Sequence, residues 1–476
     1  MTSVTAAVLP VALGGALFAA VSMRPSIDSL GRIGRRRQRG AHWADRRDLR
    51  PLLVAPRQPY PGRLVLGTSP SKVHTSLVVA EAQQSVVVVG PTQSGKTTAL
   101  AVPAILNWQG PVVAASVKSD LLQHTLGRRT AMGRVWCIDP TGATGARPST
   151  WSPLAACIQW PAALRMASDL AETAKGDGVL TDGEFWYANA SKLLAPLLFA
   201  AAHDGRSMAD VLRWVDTQEA AEVSVILEQI GQEDALIAAR ATWCRDDRTR
   251  SSVYTTAETI LAPFAGMRDS SSGRFEPWDL LGAANTLYLC APAHDQRRLR
   301  GFFSALTQQV LSHAFAQATL RGKPLDPPLL VVLDEAAHIA PLPELDGLAA
   351  TSASHGIQLV TVWQDLAQVR SRYGAKAPTV LNNHRAKIFL PGIADPDTLD
   401  YVSRLVGDEE IALPSVTRDP HGGRSTTSTT SPRRLLPPEE LRCLNRSQAV
   451  LVYGTLPPAR VRLRPWWEAP LPGHPA

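Results

Sequence analysis

Cysteine is scarce and unpatterned in this chain. Its 476 residues hold five (Cys137, Cys157, Cys244, Cys290 and Cys443), none in a C-x-x-C pair or a Cys/His cluster. That spacing excludes a zinc module and a disulfide framework, and reduced core thiols in a cytosolic compartment are the expectation. Charged side chains are missing altogether from the first 23 residues. Between residues 24 and 57 ten arginines stand against three aspartates, a net of +7. The whole chain also carries +7, so residues 58–476 sum to zero. The body therefore lacks a basic stripe from which nucleic-acid contacts could be read. With 45% hydrophobic and 19% charged residues, the composition is that of a globular protein with a membrane contribution, and the length allows two or three cores.

Residues 4–23 read VTAAVLPVALGGALFAAVSM, long enough to cross a bilayer core as a helix. Pro10 and Gly14-Gly15 are tolerated in such a span. No basic residue precedes the run, while Arg35-Arg36-Arg37 follows it. A permanent anchor with its basic flank on the cytoplasmic side fits better than a cleaved leader.

The chemistry begins at GPTQSGKT, residues 90–97, which follows the apolar run SVVVV at 85–89. A buried strand feeding a glycine-rich turn that opens a helix is the context of a phosphate-binding loop. Gly90 and Gly95 let the backbone curl so that the N–H groups of Gly90, Pro91, Thr92, Gln93, Ser94, Gly95, Lys96, Thr97 and Thr98 (proline excepted) surround phosphate oxygens. Lys96 is expected to reach the β/γ-phosphates of ATP, and the Thr97 hydroxyl to sit on Mg2+. A second apolar run, LLVVL at 329–333, ends in Asp334-Glu335. Asp334 suits a hold on Mg2+, and Glu335 can polarise the attacking water. A GTPase or small-molecule kinase usually lacks the second acid, so the pair favours an ATPase that does mechanical work. Gln364, after the run IQLVTVW at 357–363, is a candidate for sensing the γ-phosphate or orienting water; a plain solvent-facing glutamine is the rival reading.

More than two hundred residues separate Lys96 from Asp334, so something is inserted between them. Strands are expected at 111–117, 134–139 and 285–291, whereas 157–270 shows only helical periodicities, for example over 184–202 and 251–267. An all-helical subdomain budding from an α/β sheet follows. Its apolar run at 193–202 is too short to cross a membrane. Further strands are expected at 386–390 and 448–453, with a mobile surface loop over 418–434, where the chain reads RDPHGGRSTTSTTSPRR.

Together these segments resemble the type IV coupling proteins, the TraG/TraD-like ATPases of conjugation and type IV secretion. The resemblance runs from about residue 67 to 467. It rests on GPTQSGKT at 90–97, Pro103 and Trp108 in the following helix, VKSDL at 117–121 and WSPL at 151–154. EFWYANA at 184–190, LLVVLDEAAHI at 329–339, TVWQDLAQVRSRYG at 361–374, NNHRAKIFLPG at 382–392 and LLPPEEL at 435–441 complete it. The resemblance implies a RecA-like P-loop NTPase sheet of the α/β class, with an inserted all-α subdomain and an N-terminal transmembrane helix. The expected parts are the anchor (1–23), a basic juxtamembrane linker (24–66), the nucleotide-binding domain (67–156 and 271–476) and the insertion (157–270). It further implies a single-pass protein of the inner or plasma membrane with its ATPase domain cytoplasmic, and assembly as a homo-hexamer. The implied partners are single- or double-stranded DNA, a relaxase or effector protein, and a type IV secretion channel.

Three departures from the family pattern stand out. Relatives commonly carry two membrane spans, and one is visible here. Ser116-Val117-Lys118 replaces an Asp-x-Lys pattern, and Ala353-Ser354-His355 replaces a stretch that commonly holds an arginine. Arg372 and Arg385 are the candidates for a charge-stabilising arginine supplied across a subunit interface. Two other functions remain open at this level: a nucleotide-gated docking receptor that does not pump, and an FtsK/HerA-like DNA motor outside conjugation.

Overall fold

A computed structural model describes residues 40–55, 58–69, 76–175, 181–267, 273–418 and 424–468. The segment expected to span a membrane, 4–23, lies outside the described residues. Among the described residues no helix is long and apolar enough to cross a membrane.

Valine-rich runs fully buried on both faces form parallel strands, because only a covered sheet tolerates uninterrupted apolar sequence. The strands are β1 (Leu53–Val54), β2 (Val65–Thr68), β3 (Leu77–Val79), β4 (Val86–Val89), β5 (Val112–Ser116), β6 (Val135–Ile138) and β7 (Thr286–Cys290). They continue with β8 (Leu329–Leu333), β9 (Ile357–Trp363), β10 (Ala386–Phe389), β11 (Asp408–Arg418), β12 (Arg424–Arg434), β13 (Gln448–Tyr453) and β14 (Ala459–Arg462). One twelve-stranded sheet has the order β1-β3-β2-β14-β13-β10-β4-β9-β8-β5-β7-β6. From β10 to β6 every neighbouring pair is parallel. The strands beyond β10 pair antiparallel.

Alternation along the strands divides the core in two. Val87, Val89, Val113, Ala115, Val331 and Leu333 face one layer of helices, while Val86, Val88, Val112, Ala114, Leu330 and Val332 face the other. The first layer includes Gln296–Arg321, helices that follow β8, and the six longer helices between β6 and β7: Trp160–Ala174, Thr181–His203, Met208–Asp216, Ala221–Ile230, Glu233–Trp243 and Asp247–Leu261. These six helices share one buried cluster with the sheet, and the first of them packs against the helix Gln296–Arg321. The apolar run 193–201 is buried there as a core helix. The last of the six helices ends at Leu261 and passes into a 3-10 turn, short of the expected 267.

Two expectations need correction. Within the surface loop foreseen over 418–434, residues 424–434 are instead a strand of a hairpin, with β11 paired to β12 from Asp408↔Arg434 to Arg418↔Arg424. Its sequence is rich in serine and threonine and carries no hydrophobic alternation that would announce a strand. The cysteines are not uniformly in the core: Cys137, Cys157 and Cys290 are buried, but Cys244 and Cys443 are exposed. A smaller difference concerns Trp108, which follows the helix Val102–Asn107 rather than lying inside it and donates its indole N–H to Pro328 O at 2.9 Å.

Candidate functional site: the phosphate loop and its acids

The loop leaves the C-terminal edge of β4, and its shape is fixed by close contacts. Gly90 N donates to Trp363 O at 3.1 Å, tying the turn to the end of β9. A side chain at Gly90 would come within 2.8 Å of Leu390 Cβ and 2.9 Å of Ser94 Oγ, so only glycine fits. Gly95 has φ +91°, and Gln93, which cannot escape strain as glycine does, has φ 62°. Ser94 Oγ closes the curl by donating to Pro91 O at 2.7 Å. Thr92 and Gln93 form the exposed crest, while Ser94 and Lys96 are buried beneath it.

Lys96 is 8% exposed, and its ammonium donates to the carbonyls of Gly90 and Pro91, each at 2.6 Å. Burial lowers its pKa, with Asp334 and Glu335 opposing the shift. The turn after Lys96 is a π-type one over Thr97–Ala101, with Val102 N donating to Thr97 O. Pro103 has no N–H to offer Ala99 O, which disfavours the ordinary i→i+4 pattern at this point.

Thr97 Oγ1 donates to Asp334 Oδ2 at 2.9 Å across 237 positions of sequence. Parallel pairing explains the meeting: β4 lies beside β9, β9 beside β8, and all three end at the same sheet edge. Asp334 N donates to Ala115 O at 2.9 Å, and Ala336 N to Val362 O at 3.1 Å, so the acids are held between β5 and β9. Asp334 is 5% exposed, and its second oxygen, Oδ1, is buried without a hydrogen-bond partner. Burial pushes its carboxyl up to about 6, and the Thr97 bond only partly offsets this. A hydroxyl and a buried carboxylate with an unsatisfied oxygen are hard donors of the kind that fit Mg2+ alongside phosphate oxygens. Among the described residues no cluster of three or more His, Cys, Asp or Glu offers a site built from protein ligands alone.

Glu335, half-buried, has φ 60°, a left-handed conformation that a non-glycine residue keeps only where its surroundings impose it. Gln364 follows β9 at the same edge, half-buried, its N–H donating to Gln368 Oε1 at 3.0 Å. Lys118, just past β5, was not singled out for a role by its sequence pattern. It is exposed, and its charge acts on both Lys96 and Asp334, lowering the pKa of each. Strand order reveals it: β5 is the neighbour of β8, and both end at this edge.

The two candidate arginines lie apart. Arg372 lies in the last turn of the helix Leu366–Tyr373 and donates to Pro341 O at 3.4 Å, in the segment that follows the acids. Arg385 precedes β10 at the opposite edge of the sheet, 3.1 Å from Glu81 and 5.4 Å over the Tyr453 ring. His355 stands in the turn before β9, against Phe315, also at the edge away from the loop.

A parallel sheet with a glycine-rich loop at a central strand, facing an acid pair on a strand two places along, defines a P-loop nucleotide-binding fold. The chain belongs to the family described as type IV secretory system conjugative DNA transfer proteins, whose model matches residues 54–471. It is 24% identical over 395 residues to protein VirD4 of Rhizobium radiobacter, covering 79% of this chain and 56% of that protein. It is 24% identical over 458 residues to the conjugal transfer protein TraG of Escherichia coli, covering 84% of this chain and 70% of that one. The chain thus spans little more than half the length of the VirD4 relatives. In fold it is similar to the bacterial conjugative coupling protein TrwBdeltaN70 in its unbound form, with a TM-score of 0.66 at 18% identity over 90% of this chain and 93% of that one. The plasmid coupling protein TrwB in complex with ADP and Mg2+ gives 0.65 at 18% identity over 90% and 94%.

Proposed function

We propose that this chain is a membrane-anchored, Mg2+-dependent ATPase that couples ATP hydrolysis to the delivery of DNA, or of a DNA–protein complex, to a type IV secretion channel. The observation that carries the reading is the 2.9 Å contact between Thr97 and Asp334, which brings the loop and the acid strand into one pocket. Membership of the conjugative DNA transfer family and the nucleotide complexes of TrwB support it.

In this reading the loop's N–H groups and the Lys96 ammonium bind the phosphates, the lysine exchanging the Gly90 and Pro91 carbonyls for phosphate oxygens. Thr97 and Asp334 would hold Mg2+, which when bound neutralises phosphate charge. Glu335 positions water and takes up its proton, and Gln364 orients it. Lys118 adds positive charge on the β5 side. An arginine from a neighbouring subunit of a homo-hexameric ring, Arg372 or Arg385, completes charge stabilisation. Residues 4–23 anchor the protein in the inner or plasma membrane, with the basic 24–57 stretch and the ATPase body on the cytoplasmic side. The helices within 157–270 form the docking surface for a relaxase or effector.

The test is hydrolysis by the full chain in detergent. ATP turnover rises with single-stranded DNA, and Lys96→Ala and Glu335→Gln each lower it by at least about 10²-fold. Wild-type turnover in both variants would overturn the assignment.

A further inference from the structure

The inserted segment differs from the rest of the chain in charge. Residues 157–270 hold 17 acidic and 10 basic side chains, a net of −7, whereas residues 58–476 as a whole sum to zero. A site on this segment therefore sits in a field that favours cations. A cleft of about 510 Å3 opens where the first inserted helix, Trp160–Ala174, meets the short helix Pro277–Leu280 and the helix Gln296–Arg321 that follows β7. Met166, buried, and Phe315, half-buried, line it, together with Trp278, which is 49% exposed. Asp169 lies among them, half-buried, and its carboxylate has no hydrogen bond or ion pair among the described residues. Burial pushes that carboxyl up to about 6; Arg165 opposes the shift, while Glu344 and Glu172 reinforce it. Arg165, one turn earlier on the same helix, is exposed and makes no ion pair with Asp169, and Glu172 is already paired with Lys175. His313, half-buried in the same cleft, has its pKa lowered by burial, so its ring brings no charge at pH 7. A carboxylate stripped of water among apolar side chains calls for a cation, and none on the chain reaches it.

We propose that this cleft receives a lysine or arginine side chain of a partner protein, an assignment that rests on the docking role given above to the inserted helices and names its chemistry. A long cationic side chain is apolar along its stem and charged at its tip, and the cleft offers both environments. The stem lies against Met166 and Phe315, and the charged tip pairs with Asp169. The exposed indole of Trp278 adds an aromatic face that attracts the same charge. An apolar side chain would leave Asp169 desolvated and unpaired, and an anion would meet three acids, Asp169, Glu172 and Glu344. The walls come from an inserted helix and from the helix that follows β7, so one occupant touches the insertion and the nucleotide-binding body together.

Fluorescence anisotropy of the full chain in nanodiscs of zwitterionic lipid, with two labelled peptides, tests the cleft. One peptide carries a single lysine between leucines; the other carries norleucine in its place, which keeps the stem and removes the ammonium. Wild type binds the lysine peptide at least about tenfold more tightly than the norleucine peptide. Asp169→Asn, equal in size, loses that preference while its affinity for the norleucine peptide stays within about twofold, and this retained binding reports an intact fold. Equal affinities in wild type would overturn the cleft as a cation site. A lysine preference undiminished in Asp169→Asn would overturn it too, with the cation then docking elsewhere on the insertion and the docking role standing. Binding of neither peptide by wild type would remove the cleft and the docking of basic partners together.

Discussion

His384 is fully buried between β9 and β10, and its two ring nitrogens have different neighbours. Nδ1 is 2.7 Å from Val380 O, which can only accept, so Nδ1 carries the proton. Nε2 then accepts from the Thr361 hydroxyl at 3.1 Å, and the ring is neutral. Burial, with the nearby Lys387 charge, pushes the imidazole down to about 4. The unfolded chain takes up this proton near the ordinary value of about 6.5. Above that pH the group has no effect on stability. As pH falls from about 6.5 toward 4, the unfolded state gains the proton first, and stability is lost by up to roughly 3 kcal/mol. Denaturant unfolding at a series of pH values should show this slope in wild type and lose it in His384→Gln; an unchanged slope in the variant would assign the acid sensitivity elsewhere. Asp334 shows the opposite shift for the same reason, since burial disfavours whichever form is charged.

At the scale of elements, Arg129 joins a helix to the sheet. It lies on the helix Asp120–Met132, 0% exposed, and burial lowers its pKa only to about 10, so it stays charged. Its guanidinium donates to Thr286 Oγ1 at 2.7 Å, Trp108 O at 2.6 Å, Gly110 O at 2.8 Å, Ala284 O at 2.9 Å and Asn285 O at 3.2 Å. These acceptors belong to the segments entering β5 and β7. Arg129→Met keeps much of the volume but leaves several buried carbonyls unpaired, at a cost of roughly 3 kcal/mol or more in denaturant unfolding. A loss below about 1 kcal/mol would mean that water replaces the guanidinium. The sequence motifs never pointed to this residue, because a buried arginine reads like any surface one. Of the eight strands that were legible, 86–89 and 329–333 are apolar on both faces and so stand out from helical periodicity. β1 and β3 escaped notice because they have only two and three residues, β2 because Gly67 interrupts its apolar run, and β14 because Arg460 and Arg462 alternate with its apolar residues. The loop and the acids were legible as motifs. Lys118 stood in a family pattern without a role, because its place near the acids comes from the adjacency of β5 and β8, which no local pattern encodes.

At the scale of the whole molecule, function depends on edges. The seven parallel strands all end on one side, and there the loop, the acids, Gln364 and Lys118 gather; the opposite edge holds Arg385 and His355. Ligand sites of open α/β sheets lie outside the carboxyl ends of the strands, as here. The helices Trp160–Ala174 to Asp247–Leu261 interrupt the sequence between β6 and β7 without interrupting the sheet, since β7 still pairs with both β5 and β6. The insertion therefore leaves the strand ends that carry the loop and the acids in register. The pocket itself is the central claim, and the metal dependence of nucleotide binding tests it most directly. Equilibrium binding of ATP to wild type should tighten at least about tenfold on adding Mg2+, because Thr97 and Asp334 would hold the ion against the phosphates. Asp334→Ala should bind ATP equally well with or without Mg2+; the same tightening in both proteins would contradict the account.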